Sequence, residues 1–272
     1  MPGGIAKGGP PGKGKPSLES GRKTGTHFCW SRAWPYMQPL FAAGSEQVRV
    51  IIALLAGVIA VATVAMLMGL PLDLQIAQLF YDPSRQKFLA AFNPAVALMR
   101  DNGVVALVTC ASAVVAALVA RMLKRPSRII PGRVVLFLVS TLALGPGVVA
   151  NLILKDHWHR PRPVQVTEFG GNQTYVDWWN PGGSCTRNCS FVSGETSSAA
   201  WMFAPAMLAP PQWRVATYAG AAIFTAAIAF VRMAAGGHFF TDVLFAALLT
   251  LILIWVVHGA IFRWWRSAAV TA

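Results

Sequence analysis

The chain has 272 residues, of which 55% are apolar and only 12% charged, and it carries a formal net charge of +13. That balance is too oily for a soluble domain of this length and puts most of the chain in a membrane. The charge could suit a nucleic acid, but the basic residues are spread over membrane-flanking loops without a recognition module, so no nucleic-acid partner is expected.

Residues 1–47 open with MPGGIAKGGPPGKGKPSLESGRKTG, rich in Gly, Pro and Lys, and read as a disordered basic cytoplasmic tail that touches anionic lipid. A cleaved signal peptide does not fit, because this long tail precedes the first apolar run and no small-residue cleavage site follows it. Apolar runs at residues 50–70, 103–120, 134–154 and 239–261 are long enough to cross a hydrocarbon core of about 30 Å. Shorter or more broken runs lie at residues 196–209 and 215–231. The expected fold class is all-α, a polytopic membrane protein with six transmembrane helices bundled into one domain over residues 48–266.

Lys and Arg concentrate before the first run (Lys7 to Arg49), between the second and third (Arg121 to Arg133) and after the last (Arg263, Arg266). The positive-inside rule then puts both termini in the cytoplasm. Lys155, Arg160, Arg162 and Arg232 fall on the opposite, outer side and need another reason to be there. Two segments face outward. Residues 71–102, centred on FYDPSRQKF, read as a partly helical surface piece and a candidate lid. Residues 156–192 form a long loop whose Trp158, Trp178 and Trp179 suit an interfacial aromatic belt.

Of the four cysteines, Cys29 lies in the tail and Cys110 in the second run. Cys185 and Cys189 sit close together in the outward loop, a spacing that can close a disulfide in an oxidising compartment. Two unpaired thiols, or a zinc site shared with His157 and His159, are the competing readings. The zinc reading lacks a clean second ligand pair, and neither metal nor cofactor is expected.

Three short stretches carry the chemistry. In residues 155–163 (KDHWHRPRP), Lys155 sits where the third span meets the outer surface and Arg162 follows, so both heads can reach one anion. Each alone would pass for a snorkelling interfacial cation. Ser193-Gly194-Glu195 opens the fourth run, where free N–H groups favour an anion. In residues 232–242 (RMAAGGHFFTD), Arg232 precedes His238, and Asp242 stands one helical turn beyond it. On one helical face, Asp242 would orient the imidazole and stabilise its protonated form. A capped helix with an interfacial His is the bland alternative. All three stretches emerge on the outer side, and ionisable groups at that depth are functional candidates by default.

The ordered set Lys-x6-Arg-Pro, Ser-Gly, Arg-x5-His-x3-Asp resembles the tripartite signature of the type 2 phosphatidic acid phosphatase superfamily. Lys155, Arg162 and Pro163 match the first part, Ser193 and Gly194 the second, and Arg232, His238 and Asp242 the third. Val231 stands where the family usually has Ser, and Glu195 where it has the His that protonates the leaving alkoxide. The resemblance implies a metal-independent phosphatase working through a phosphohistidine. His238 would be the nucleophile, balanced by Asp242. Lys155, Arg162 and Arg232 would hold the phosphoryl oxygens together with the Ser193 hydroxyl and the Gly194 N–H. Glu195 is then the candidate general acid if burial against Phe191 and Trp201 lets it keep a proton; His157 or His159 would otherwise take the role.

The expected substrate is a membrane lipid phosphate at the periplasmic face of the bacterial inner membrane, with no obligate protein partner. The FYDPSRQKF segment and the cysteine loop look similar to those of bacterial enzymes that dephosphorylate lipid A, which places lipid A first by analogy. Undecaprenyl pyrophosphate, phosphatidylglycerol phosphate and phosphatidic acid follow. A lipid phosphotransferase using the same phosphohistidine, and a non-catalytic lipid-binding or translocating protein, are the other classes. A vanadate haloperoxidase shares the motifs, but it is a soluble class and the membrane spans argue against it.

Overall fold

The computed structural model describes residue 4 and residues 30–102 and 132–264. The expected second span at residues 103–120, nearly all of the tail up to residue 29, and Cys29 and Cys110 with them, lie outside the described residues. The rest is mostly helical, with four helices long and apolar enough to cross a membrane.

Helix α1 runs Trp30–Leu67, so residues 30–47, expected as part of the disordered tail, are helical instead, and its crossing portion is Glu46–Leu67. Leu54, Val61 and Leu67 point outward from it, as a lipid-facing helix requires. The helix ends at Gly69, whose φ of +86° lets its N–H and that of Leu70 turn back onto the Met66 and Ala65 carbonyls. Pro71 then leads into the short surface helix α2, Leu72–Gln78. Next comes a hairpin of β1, Tyr81–Asp82, and β2, Lys87–Phe88, antiparallel with Tyr81 opposite Phe88. Asp82 accepts from the Ser84 N–H and hydroxyl to shape the turn. The outward segment is thus ordered, and it shares a small apolar core (Ala77, Phe88, Val166, Phe169, Phe239) with the outward loop.

Helix α3 begins at Gly132–Leu142, widens into a π-helical stretch at Ala143–Leu154 containing Pro146, and closes with Lys155–His157. Proline supplies no N–H to the ladder. Here the Asn151 side-chain amide donates to the Pro146 carbonyl at 2.6 Å. The widened helix delivers Lys155 to its C-terminal end.

The expected fourth span is two short helices, α4, Gly194–Ala200, and α5, Phe203–Met207, broken at Trp201 and Met202. Neither is long enough to cross, so the expected six spans are not reached among the described residues. The run is apolar because protein covers it: Ala199, Ala200, Trp201 and Ala204 have no exposed surface. Hydropathy alone does not separate a helix buried in protein from one buried in lipid. Trp201 is the keystone, its indole N–H donating to the Thr141 hydroxyl at 3.0 Å.

Helix α6 spans Pro211–Ala234 and α7 spans Phe240–Gly259. Helix α7 is the central one, packed against α1, α3 and α4. Val48, Phe137, Trp201, Met207, Leu251 and Ile254 form the main core around it.

Replacing Trp201 by Ala removes a fully buried indole and takes away the donor to the Thr141 hydroxyl oxygen, which still donates to the Phe137 carbonyl. We expect a loss of about 3–5 kcal/mol, seen as a lower unfolding temperature of the detergent-solubilised protein.

Candidate active site

The turn between α6 and α7 sets the site. Gly236 adopts φ +64°, and a Cβ there would meet Phe88 and Val164 at 2.6 Å, so this position is confined to glycine. The same turn puts Gly237 against the Arg232 guanidinium, 2.9 Å from where a Cβ would stand. Helix α7 begins only at Phe240, which leaves His238 in the turn before it. The expected shared helical face for His238 and Asp242 is therefore not formed. Asp242 folds back instead to accept the Phe239 N–H at 2.8 Å, as an N-terminal carboxylate does. It lies 4.0 Å from His238 Nδ1, close enough to act by charge but not by hydrogen bond.

The proton on Nδ1 goes elsewhere, to the Ser190 carbonyl at 2.6 Å. A carbonyl only accepts, so Nδ1 must carry the hydrogen and the neutral ring keeps its lone pair on Nε2. Nε2 points at Glu195 Oε2, 3.6 Å away. Glu195 also lies 3.5 Å from Arg232 Nη2. Three buried atoms without a hydrogen bond, His238 Nε2, Glu195 Oε2 and Arg232 Nε, are thus carried by one set of neighbouring side chains. Unsatisfied polar atoms of this kind are rare and mark a place built for something else to bind.

Charge explains the protonation states. Burial alone would raise the Glu195 carboxyl, but the approach of His238 and the charges of Arg232 and Lys155 outweigh it and hold Glu195 well below the usual carboxylate range. Glu195 is therefore an anion at rest, whereas the sequence reading required it to keep a proton. Burial, reinforced by Arg232, pushes His238 below the ordinary imidazole value against the pull of Glu195 and Asp242. A neutral imidazole at neutral pH is the result.

The other cations converge here. Lys155 senses the charges of Glu195, Arg162 and Arg232. Burial and the neighbouring Arg232 both lower the pKa of Arg162. Arg162 is held by its own loop, donating from Nε and Nη2 to the Asn188 carbonyl at 3.1 and 2.8 Å. The bridge between Cys185 and Cys189 closes that loop around Asn188 and leaves no thiolate for a zinc ion. Among the described residues no group of His, Cys, Asp and Glu is arranged to hold a metal. Ser193 caps α4, its hydroxyl oxygen accepting from the Thr196 N–H and hydroxyl, which leaves its own O–H to donate. Gly194 is crowded by Asn151, whose Oδ1 would sit 2.6 Å from an added Cβ. Every matched residue of the three motifs therefore belongs to this end of the bundle. His157 and His159 do not join it: each binds a backbone carbonyl, of Ile153 and Cys185 respectively.

Sequence reasoning singles out Arg160 as an outward cation but gives it no role, and it misses Asp73 and Ser190 altogether. Arg160 is fully buried and donates to Asp73, Thr241, Asp242, Tyr175 and the Val176 carbonyl. Burial alone would weaken its grip on the proton, but Asp242 and Asp73 more than compensate and keep it charged. Ser190 donates its hydroxyl to Asp242 while its carbonyl holds His238. A readable signal existed for Asp73, an acid inside the apolar run PLDLQIAQL, and for Arg160, a cation on the side where cations are scarce.

A neutral imidazole facing clustered cations, beside a carboxylate that can exchange protons, suits attack on a phosphoryl group. Comparison with known protein families matches residues 133–266 to the PAP2 superfamily. A protein named Lipid A 4'-phosphatase from Francisella tularensis subsp. novicida is 31% identical over 193 residues, 71% of this chain and 87% of that protein. Proteins of the same name from Rhizobium leguminosarum and Rhizobium etli are 38% and 39% identical over 114 and 122 residues, each alignment covering 42% of this chain. Those alignments span 49% and 48% of the two Rhizobium proteins. No solved structure matches the chain significantly.

Gly237→Ala tests the Arg232 placement. The added methyl would push the guanidinium aside, so we expect inorganic phosphate to bind about tenfold more weakly with little change in unfolding temperature, by titration calorimetry in detergent.

Proposed function

This chain belongs to the PAP2 superfamily, and from that membership we propose that it is an integral-membrane lipid phosphatase that removes the 4'-phosphate of lipid A. The observation that carries the substrate is its likeness over 87% of the length of the Francisella protein named for that reaction. The membrane domain occupies residues 48–266 of a bacterial inner-membrane protein, with both termini in the cytoplasm and the site facing the periplasm. The tail at residues 1–47 is dispensable for the chemistry. The lipid enters from the outer leaflet, and its phosphate is held by Lys155, Arg162 and Arg232 with the Ser193 hydroxyl and the Gly194 N–H.

His238 Nε2 attacks phosphorus in line with the sugar oxygen, forming a P–N bond as the P–O bond breaks. Asp242 balances the charge that the ring gains. Glu195 is ionised before substrate binds, but a phosphate dianion beside it makes two close anions, and one of them must hold a proton. The proton brought by the phosphate monoanion passes to Glu195, which gives it to the leaving alkoxide. Glu195, again a carboxylate, then takes a proton from the water that attacks the phosphohistidine and passes it to the departing phosphate, which leaves as the monoanion and returns Glu195 to its ionised state. Hydrolysis regenerates the neutral His238.

The test is purified protein in detergent, incubated separately with bis-phosphorylated lipid A, undecaprenyl pyrophosphate, phosphatidylglycerol phosphate and phosphatidic acid. Free phosphate and lipid mass are both measured. We expect lipid A to lose its 4'-phosphate stoichiometrically with phosphate release, and His238→Ala to fall to background. Faster turnover of another lipid would overturn the substrate, and phosphate recovered on an acceptor lipid would make the protein a transferase. Glu195→Gln should slow lipid A turnover by about 10²- to 10⁴-fold yet spare p-nitrophenyl phosphate, whose leaving group needs no proton. Equal losses on both substrates would remove Glu195 from the acid role.

A further inference from the structure

We propose that Arg160, at an unassigned place inside the first motif, and Asp73, outside all three, are positioning residues that hold Asp242 and Ser190 so that His238 presents Nε2 to the substrate. The proposal rests on the phosphohistidine reading above and concerns what stands behind the nucleophile.

The geometry is a chain of contacts in which each link is fully buried. Asp73, on α2, accepts the Thr241 N–H at 2.9 Å and the Thr241 hydroxyl, tying the surface helix to the first turn of α7. Its other bond is to Arg160 Nη2 at 2.7 Å. Arg160 Nη1 reaches Asp242 Oδ1 and, at 2.9 Å, the Thr241 hydroxyl. The guanidinium lies over the Phe239 ring, 4.5 Å from its centre, so its plane is fixed as well. Asp242 Oδ2 takes the remaining donors, the Ser190 hydroxyl and the Phe239 N–H. Ser190 then closes the circuit with its carbonyl on His238 Nδ1. Asp73, Arg160, Ser190, His238 and Asp242 all have 1% or less of their surface exposed.

Arg160 faces away from the anion pocket. All its donors are committed to the protein, unlike Lys155, Arg162 and Arg232, which gather around Glu195. Its work is to occupy Asp242 Oδ1 and so aim Oδ2 at Ser190, which selects the imidazole tautomer without touching the ring. It also sets the charge behind the nucleophile. Asp73, Arg160 and Asp242 together carry one net negative charge, where Asp242 alone with Arg160 would carry none. That surplus reaches the ring through Asp242, which supports the imidazolium together with Glu195 from α4 on the other side of the ring, while Arg232 from α6 opposes it. Lys155 from α3 and Arg162 from the outward loop act mainly through Glu195.

Charge and geometry can be separated with two conservative variants. Asp73→Asn keeps an acceptor for the Thr241 N–H but removes the surplus charge. Its imidazolium is less supported, so the acid limb of kcat/KM should move to lower pH. Arg160→Lys keeps the charge but loses the planar fork. Its acid limb should stay in place while kcat falls about a hundredfold. The substrate phosphate titrates identically in all the proteins, so a difference between them reports the enzyme. An unmoved limb in Asp73→Asn, whether activity is kept or is lost together with thermal stability, would overturn the proposal, as would full kcat in Arg160→Lys. If one variant does not fold, the other still decides. His238→Ala run alongside keeps the two readings apart, since activity surviving in it defeats the phosphohistidine itself.

Discussion

A single guanidinium with no exposed surface, gripped by two carboxylates, organises the end of the bundle that carries the site. Arg160 comes from the outward loop, Asp73 from the surface helix 87 residues before it and Asp242 from the central helix 82 residues after it. Withdrawing three charges from water is tolerable only when every one is paired and hydrogen-bonded, and that is how they are found. The same demand makes the arrangement specific. A loop, a surface helix and a membrane helix can meet at this point in few ways that leave no charge unpaired. The turn carrying His238 is fixed as a consequence, and around it the motif cations assemble.

The division of labour follows from which cations are saturated. Arg160 spends every donor on the protein. Arg232 keeps Nε unpaired beside an equally unpaired imidazole nitrogen and carboxylate oxygen. The first is a structural ion and the second faces a site. Glu195 sits at the boundary between these regimes, buried enough to feel His238 strongly and surrounded by enough positive charge to remain ionised before substrate binds. A carboxylate held ionised in this way has no proton to give before a ligand arrives.

Much of this was legible in the sequence because membranes and phosphates impose blunt requirements. Long apolar runs at residues 50–70, 134–154 and 239–261 correspond to crossing helices, and the scarcity of outward cations made Lys155, Arg162 and Arg232 stand out. Residues 196–209 misled because burial in protein and burial in lipid demand the same apolar composition; only the break at Trp201 and Met202 tells them apart. The spacing of His238 and Asp242 also misled. A four-residue interval joins two side chains only where both lie in the helix, and His238 precedes it. Ser190 left little trace in the sequence, since its backbone carbonyl binds the imidazole and any residue type has one, while a lone buried serine beside the motif does not announce its hydroxyl's bond to Asp242.

The tautomer assigned to His238 offers the most direct test of the account. Rapid quenching during turnover of ³²P-labelled lipid A, followed by mapping of the labelled peptide and ³¹P NMR of the trapped adduct, reports both the residue and the ring nitrogen that carry phosphorus. The account predicts an alkali-stable, acid-labile phosphoryl group on Nε2 of His238. Phosphorus on Nδ1, on another residue, or on no protein atom during active turnover would contradict it.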